Sequence, residues 1–187
     1  MDVSPDGKTL VFSGTGGGGS HLYLLNLAAN KVTQLTQTTA SDNYPAFSLE
    51  GKTIVYQSSA SPSASRHLFL ISVSGGSARQ LTNTPATSDE SPHFSPNGEK
   101  ITFSRAAQFH AKSALRSTSN GFDIWVVNRN GTHPYQVTHL NSDGVMHPRF
   151  YPDNRHVIFE KTTITDSPAS GSGVNGHRWR GASHHLF

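Results

Sequence analysis

The chain contains no cysteine among its 187 residues. That excludes disulfides, thiol nucleophiles and Cys-ligated zinc, but it does not name a compartment, because a periplasmic protein can also lack Cys. Apolar residues make up only 34% of the sequence. No window approaches the roughly 18 consecutive apolar residues of a membrane-spanning helix, so no membrane insertion is expected. Charge is also thin: 15 Lys and Arg against 12 Asp and Glu leave a formal +3, dispersed except at His177, Arg178 and Arg180. A nucleic-acid surface gathers its basic side chains on one stripe, so nucleic acid is not an expected partner. The opening residues, MDVSPDG, carry neither the basic start nor the apolar stretch of a secretory signal, so the chain is expected to be cytoplasmic or to lack its true beginning.

What the sequence does have is turn chemistry. Its 17 Gly and 10 Pro, with abundant Ser, Thr and Asn, suit many short strands and leave little room for long helices. Three signals recur in a fixed order. The first is a turn, seen as Val3-Ser4-Pro5-Asp6-Gly7, Phe47-Ser48-Leu49-Glu50-Gly51, Phe94-Ser95-Pro96-Asn97-Gly98 and Phe150-Tyr151-Pro152-Asp153-Asn154. Pro fits the second position of a type I turn, and Asp or Asn followed by Gly supplies a side-chain acceptor and a positive φ. Alternating strand-like runs follow at 9–13, 53–58, 101–105 and 156–161.

The second signal is a strand read as His21-Leu22-Tyr23-Leu24, His67-Leu68-Phe69-Leu70, Asp123-Ile124-Trp125-Val126 and, at the end, His185-Leu186-Phe187. The third is Gln34-Leu35-Thr36, Gln80-Leu81-Thr82 and Gln136-Val137-Thr138. Leu35 to Leu81 is 46 residues and Leu81 to Val137 is 56, the second stretched by an insertion between Arg105 and Asp123. Four strands in about 40–50 residues is the unit of a propeller blade. A β-sandwich could share such turns but has no reason to repeat one order of turn, aromatic strand and Gln-Leu-Thr. The expected blades are 1–36, 37–82, 83–138 and an incomplete 139–187, within one all-β segment.

The unit Pro-x-Phe-Ser-x-(Asp/Asn/Glu)-Gly-Lys-x-(Ile/Leu)-x-(Phe/Tyr), then Leu-Tyr-Leu, then Gln-Leu-Thr, resembles the blade repeat of the TolB-like, WD-repeat-like propellers. Leu49 in place of the turn Pro, Asn154 in place of the turn Gly and the third-blade insertion depart from it. The resemblance implies a six-bladed ring, of which about three blades and part of a fourth would be present, and an extracytoplasmic setting in full-length relatives. An open stack of blades leaves bare end faces, so self-association, a fragment or completion by a partner is expected.

Candidate chemistry is sparse. Gly14-Thr15-Gly16-Gly17-Gly18-Gly19-Ser20 fits G-x-G-x-x-G formally, but it leads into a strand and offers no helix N-terminus to a pyrophosphate, which marks it as a hairpin loop. No G-x-S-x-G nucleophile elbow occurs. Eleven histidines invite a metal reading, yet His21, His67 and His185 share one repeat slot on different blades, and no H-E-x-x-H fixes the others. No metal, cofactor or catalytic group is expected.

Binding is the expected role, and three groups of residues are its candidates. Asp42, Asp89 and Asp143 precede the innermost strands and would ring the channel mouth, meeting a cation or the basic groups of a peptide, unless they only tie down their own loops. His93 and Arg149 occupy the x of Pro-x-Phe, with Ala46 as the second-blade equivalent, and would pack between blades or reach the channel. Phe109, His110, Lys112 and Arg116 lie in the largest complete insertion, on a face of long loops expected at 14–20, 59–66, 106–120 and 162–183. The resulting reading is a non-catalytic scaffold for a protein or peptide. Two alternatives stay open: the gating propeller of a prolyl-oligopeptidase-type peptidase, and part of a saccharide-acting propeller enzyme.

Overall fold

The computed structural model describes residues 1–16, 19–60, 64–107, 121–142 and 144–161. Among the described residues there are fourteen strands and no helix. The first sheet is β1 (Asp2–Val3), β2 (Thr9–Gly16), β3 (Gly19–Asn26) and β4 (Lys31–Gln34). The second is β5 (Ser41–Phe47), β6 (Thr53–Ser59), β7 (His67–Ser72) and β8 (Arg79–Gln80), and the third is β9 (Thr87–Phe94), β10 (Lys100–Ala107), β11 (Phe122–Asn128) and β12 (Tyr135–Gln136). A two-stranded sheet of β13 (Val145–Phe150) and β14 (Val157–Lys161) follows. Every pairing is antiparallel between sequence neighbours. The architecture is a partial β-propeller, as the repeat implies.

The recurring turn has a specific chemistry. Gly7, Gly51 and Gly98 sit at φ 71°, 67° and 74°, and Asn154 takes the same slot at φ 59°. Asn enters this left-handed region more readily than other side chains, which is why the fourth turn survives without glycine. The Ser of each apolar-Ser pair accepts the N–H that opens the next strand: Ser4 Oγ from Thr9 at 2.9 Å, Ser48 Oγ from Thr53 at 3.0 Å and Ser95 Oγ from Lys100 at 2.9 Å. Tyr151 cannot do this, and Asp153 Oδ1 instead accepts the N–H groups of Arg155 and His156.

Gln-Leu-Thr closes each blade from the outside. The buried hydroxyls of Thr36, Thr82 and Thr138 accept the N–H of Leu22, Leu68 and Ile124 at 2.9–3.0 Å. Gln34, Gln80 and Gln136 each donate a side-chain N–H to the carbonyl of the Thr two residues on. The short outer strand therefore continues past its ladder through side-chain bonds, which give these three buried N–H groups their acceptors.

Three apolar clusters fill the three spaces between sheets. Val11, Leu22, Phe47, Ile54, Tyr56 and Ile71 join the first two. Ala46, Val55, Leu68, Leu70, Leu81, Phe94, Ile101, Phe103 and Val127 join the next two. Ile124, Val126, Val145, Phe150, Val157 and Phe159 seat the last. Each fully buried Leu, Ile or Phe contributes about 1.5–3 kcal/mol, so these faces, and not the ladders, hold neighbouring blades together. Across the turn side, Arg129 donates to Glu50 and Thr53 of the preceding blade and lies 5.4 Å from the Phe94 ring centre.

One expectation fails here. The glycine run is not a long loop: β2 and β3 pair through Gly14↔His21, Thr15↔Ser20 and Gly16↔Gly19. A Cβ at Gly14 would meet the Tyr23 ring at 3.1 Å, and one at Gly19 would meet the Ala40 carbonyl at 3.1 Å. The glycines serve close packing of a ribbon, not a cradle.

Candidate functional site

The innermost strands β5, β9 and β13 each break register once, at the same place. Tyr44-Pro45 lies opposite the single residue Tyr56, Ser91-Pro92 opposite Phe103, and His147-Pro148 opposite Phe159. Pro cannot donate to the ladder, and two residues against one is a β-bulge. The residue before each Pro stands at φ 52°: Tyr44, Ser91 and His147. Non-glycine residues avoid this region at a cost of order 1–3 kcal/mol, a strain that concentrates at functional sites. The three prolines and the three opposing aromatic rings are buried, whereas Tyr44 and His147 are exposed.

The bulges turn these side chains toward the common axis. The rings of Tyr44 and His147 come within 5.9 Å of each other, although their strands are separated by β9, where the small Ser91 leaves room. His147 Nδ1 is 2.9 Å from the Glu160 carboxylate of β14. This aromatic pair is the part of the site that motif reading missed. A Pro inside three otherwise regular strand patterns was the available signal.

Two residues further along each strand is a second ring, made of Asp2, Ala46, His93 and Arg149. Ala46 is buried, and His93 and Arg149 are half-buried. Asp2 accepts the N–H of Phe47 on the next blade at 2.8 Å and its neighbour Val3's at 3.0 Å. His93 Nδ1 lies 2.9 Å from the Phe94 carbonyl, while among the described residues Arg149 reaches only the Pro148 carbonyl, at 3.4 Å. Burial, helped by the Arg149 charge, pushes the His93 imidazole down to about 4, so it is neutral at pH 7. Burial also lowers Arg149, against the opposing field of Asp2.

The acidic candidates are placed differently. Asp89 is fully buried and receives two bonds from Arg105 of its own blade, at 2.6 and 2.8 Å. Arg105 lies between the rings of Phe103 and Trp125, 5.1 and 4.9 Å from their centres. Asp42 is also buried, with Thr38 Oγ1 at 3.5 Å from its carboxylate. Asp143 lies outside the described residues. Asp42 pairs with Ser58, Asp89 with Arg105, and the fourth-sheet counterpart is Val145, paired with Lys161. Counting back three residues from the strand Pro gives Asp42, Asp89 and Val145. Phe109, His110, Lys112 and Arg116 also lie outside the described residues.

The slot at the start of the third strand varies in the same way. In blade three Asp123 accepts from Thr138 Oγ1, Gln136 Nε2 and the Leu140 and Asn141 N–H groups. His21 and His67 hold that slot in blades one and two, with buried Nδ1 atoms that have no hydrogen-bond partner. Among the described residues, no three carboxylate or imidazole groups gather in a metal-binding arrangement.

Comparison with known proteins decides the family. The model of the TolB beta propeller domain matches residues 2–122. The chain belongs to the TolB β-propeller family. An uncharacterised protein of Agrobacterium fabrum is 29% identical over 100 residues, 54% of this chain and 33% of that protein. The Tol-Pal system protein TolB of Francisella tularensis is 30% identical over 79 residues, 42% of this chain and 18% of that one. The propeller thus spans a third or less of the curated relatives it matches. Among solved structures, TolB from Acinetobacter baumannii superposes with TM-score 0.63 at 18% identity, over 87% of this chain and 37% of that one. A TolB-type protein of Agrobacterium tumefaciens gives 0.64 at 22%, over 76% and 52%. At these identities the superpositions carry the fold.

Proposed function

We propose that this TolB-type propeller is a non-catalytic recognition module that takes a peptide or protein segment at its channel mouth, on the face where β6 leads to β7 and β10 to β11. The observation that carries this is the bulge repeated in three successive inner strands. It spends strain to present Tyr44 and His147 to the axis, where neither ring contributes to the apolar packing between blades. Two aromatic faces 5.9 Å apart offer a rigid, amphipathic surface of the kind that anchors peptides at low entropic cost. The Francisella relative is named as a component of the Tol-Pal system, which supports a protein partner and an extracytoplasmic setting.

The test is selection of a displayed random-peptide library on the purified chain, followed by titration of the recovered peptides against Tyr44→Ala and His147→Ala. Truncating a central aromatic anchor costs 2 kcal/mol or more, so each variant should bind about thirtyfold more weakly. Peptides that bind both variants as well as the parent would place recognition elsewhere and refute the reading.

A further inference from the structure

The second ring of the channel wall, toward the tight-turn end, has a chemistry of its own. Its four positions come from four blades, yet the side chains are an acid, a methyl group, an imidazole and a guanidinium: Asp2, Ala46, His93 and Arg149. Arg149 is half-buried, and among the described residues its single hydrogen bond is the long 3.4 Å contact to Pro148 O. A guanidinium has five donors in a planar fork, and leaving most of them unused in a partly desolvated wall is costly. Asp2 is the nearby counter-charge, but its two oxygens are each held by a backbone N–H, at 2.8 and 3.0 Å, and no ion pair joins it to Arg149. Asp2 offsets the charge without occupying the fork. His93 has Nδ1 turned to the Phe94 carbonyl, which makes Nδ1 the protonated nitrogen of the neutral ring and leaves Nε2 as an acceptor. Ala46, the second-blade member of the set, is buried in the core between the second and third sheets.

We infer that Arg149, flanked by His93 and Asp2, forms a carboxylate-binding subsite in the channel wall, reading an acidic side chain or the C-terminal carboxylate of the bound segment. This deepens the recognition role proposed above and rests on it for the source of the carboxylate. A planar monoanion matches the guanidinium fork in two parallel bonds. A phosphate dianion matches it less well, because Asp2 leaves the local charge near neutral and adds repulsion for each further negative charge.

The subsite can be tested on the whole chain without knowing the partner, by ¹⁵N NMR of the Arg149 Nε–H and the His93 ring during titration with sodium acetate, inorganic phosphate or neutral acetamide at constant ionic strength and pH 7. Acetate should give saturable shifts at both residues, with a dissociation constant on the order of millimolar for so small a probe. Phosphate should bind at least threefold more weakly, and acetamide should leave both signals in place. Arg149→Lys, which keeps charge but loses the fork, should weaken acetate several-fold, and Arg149→Gln should abolish the His93 response. Equal responses to acetate and acetamide, tighter binding of phosphate than of acetate, or a His93 response that persists in Arg149→Gln would each overturn the inference. Should the Gln variant not fold, the acetate-acetamide contrast in the parent chain and the Lys variant decide. Silence toward acetate with selected peptides still bound at Tyr44 and His147 refutes the subsite alone; saturable acetate binding with no peptide recovered refutes the wider role alone.

Discussion

Asp89 and Arg105 offer the sharpest test of whether an acidic residue at the head of an inner strand serves the fold or a ligand. Asp89 is 0% exposed and Arg105 6%, and the two are joined by bonds of 2.6 and 2.8 Å. Removing one member of a buried pair strands the other charge, at about 3–5 kcal/mol. The two losses should not be equal. In Asp89→Ala the long guanidinium can still lie over Phe103 and Trp125, whereas Arg105→Ala strands a short carboxylate and also removes the stacking, worth about 0.5–2 kcal/mol more. The double variant should cost less than the two single losses combined by about 2–3 kcal/mol, since neither charge is then left alone. Urea denaturation followed by far-UV circular dichroism and Trp fluorescence reads these values. With a slope of about 2 kcal/mol per molar, the single variants should move the midpoint down by about 2 M. Should Asp89→Ala leave the midpoint unchanged or raise it, the carboxylate is being held at a cost for something it binds, and the structural account is refuted.

Further outcomes follow from the repeated devices. Thr82→Val should cost about 1–3 kcal/mol in the same denaturation assay, because it leaves the buried Leu68 N–H without its acceptor at 3.0 Å; the Leu68 amide should also exchange faster. Gly98→Ala should cost about 1 kcal/mol, since φ is 74° and the nearest atom to the added Cβ is Arg129 Nη1 at 3.9 Å, so conformation and not crowding sets the loss. His93 should impose a pH dependence. Its folded value, about 4, lies below the ordinary 6.5, so the unfolded chain takes up the proton first. The stability from His93 is complete above about 6.5, falls as the pH is lowered toward 4 and is flat below that, a loss of about 3 kcal/mol at most. His93→Asn should flatten this part of the stability profile, and a profile identical to the parent's would refute the assignment.

The fold was readable because its landmarks are local. Ser4, Ser48 and Ser95 each cap the strand that follows, and Thr36, Thr82 and Thr138 each hold the third strand of their own blade, so the same sequence words mark the same places in the first three blades. The site was harder to read because its geometry depends on register and on pairs far apart in sequence. Ser-Asp recurs three times, yet counting from the strand Pro the fourth-sheet residue that shares the register of Asp42 and Asp89 is Val145. Nothing near Asp89 announces that Arg105, sixteen residues on, will saturate it. The run 14–20 looked like a loop because its glycines were counted for flexibility, when Tyr23 needs the space over Gly14. His93 and Arg149 were legible through the Pro-x-Phe slot, but the companionship of Asp2 was hidden at the chain's first strand.

Repetition within one chain separates two kinds of position. Where the blade needs a particular contact, the residue recurs: Thr at the outer strand, Ser at the turn, Phe facing the preceding sheet. Where the backbone is held in one geometry and the side chain changes freely, the blade places no demand on the chemistry. The bulge shows this most clearly, since Tyr44, Ser91 and His147 share one φ of 52° while their side chains are a phenol, a hydroxymethyl and an imidazole. The next ring shows it again with Asp2, Ala46, His93 and Arg149. Both sets sit on the innermost strands, where Tyr44 and His147 meet and Ala46 packs between the second and third sheets. Selection for folding acts on each blade alike and would leave these positions either uniform or indifferent. A strained aromatic pair and a guanidinium with one long hydrogen bond among the described residues are neither, and these are the positions on which the proposed recognition role rests.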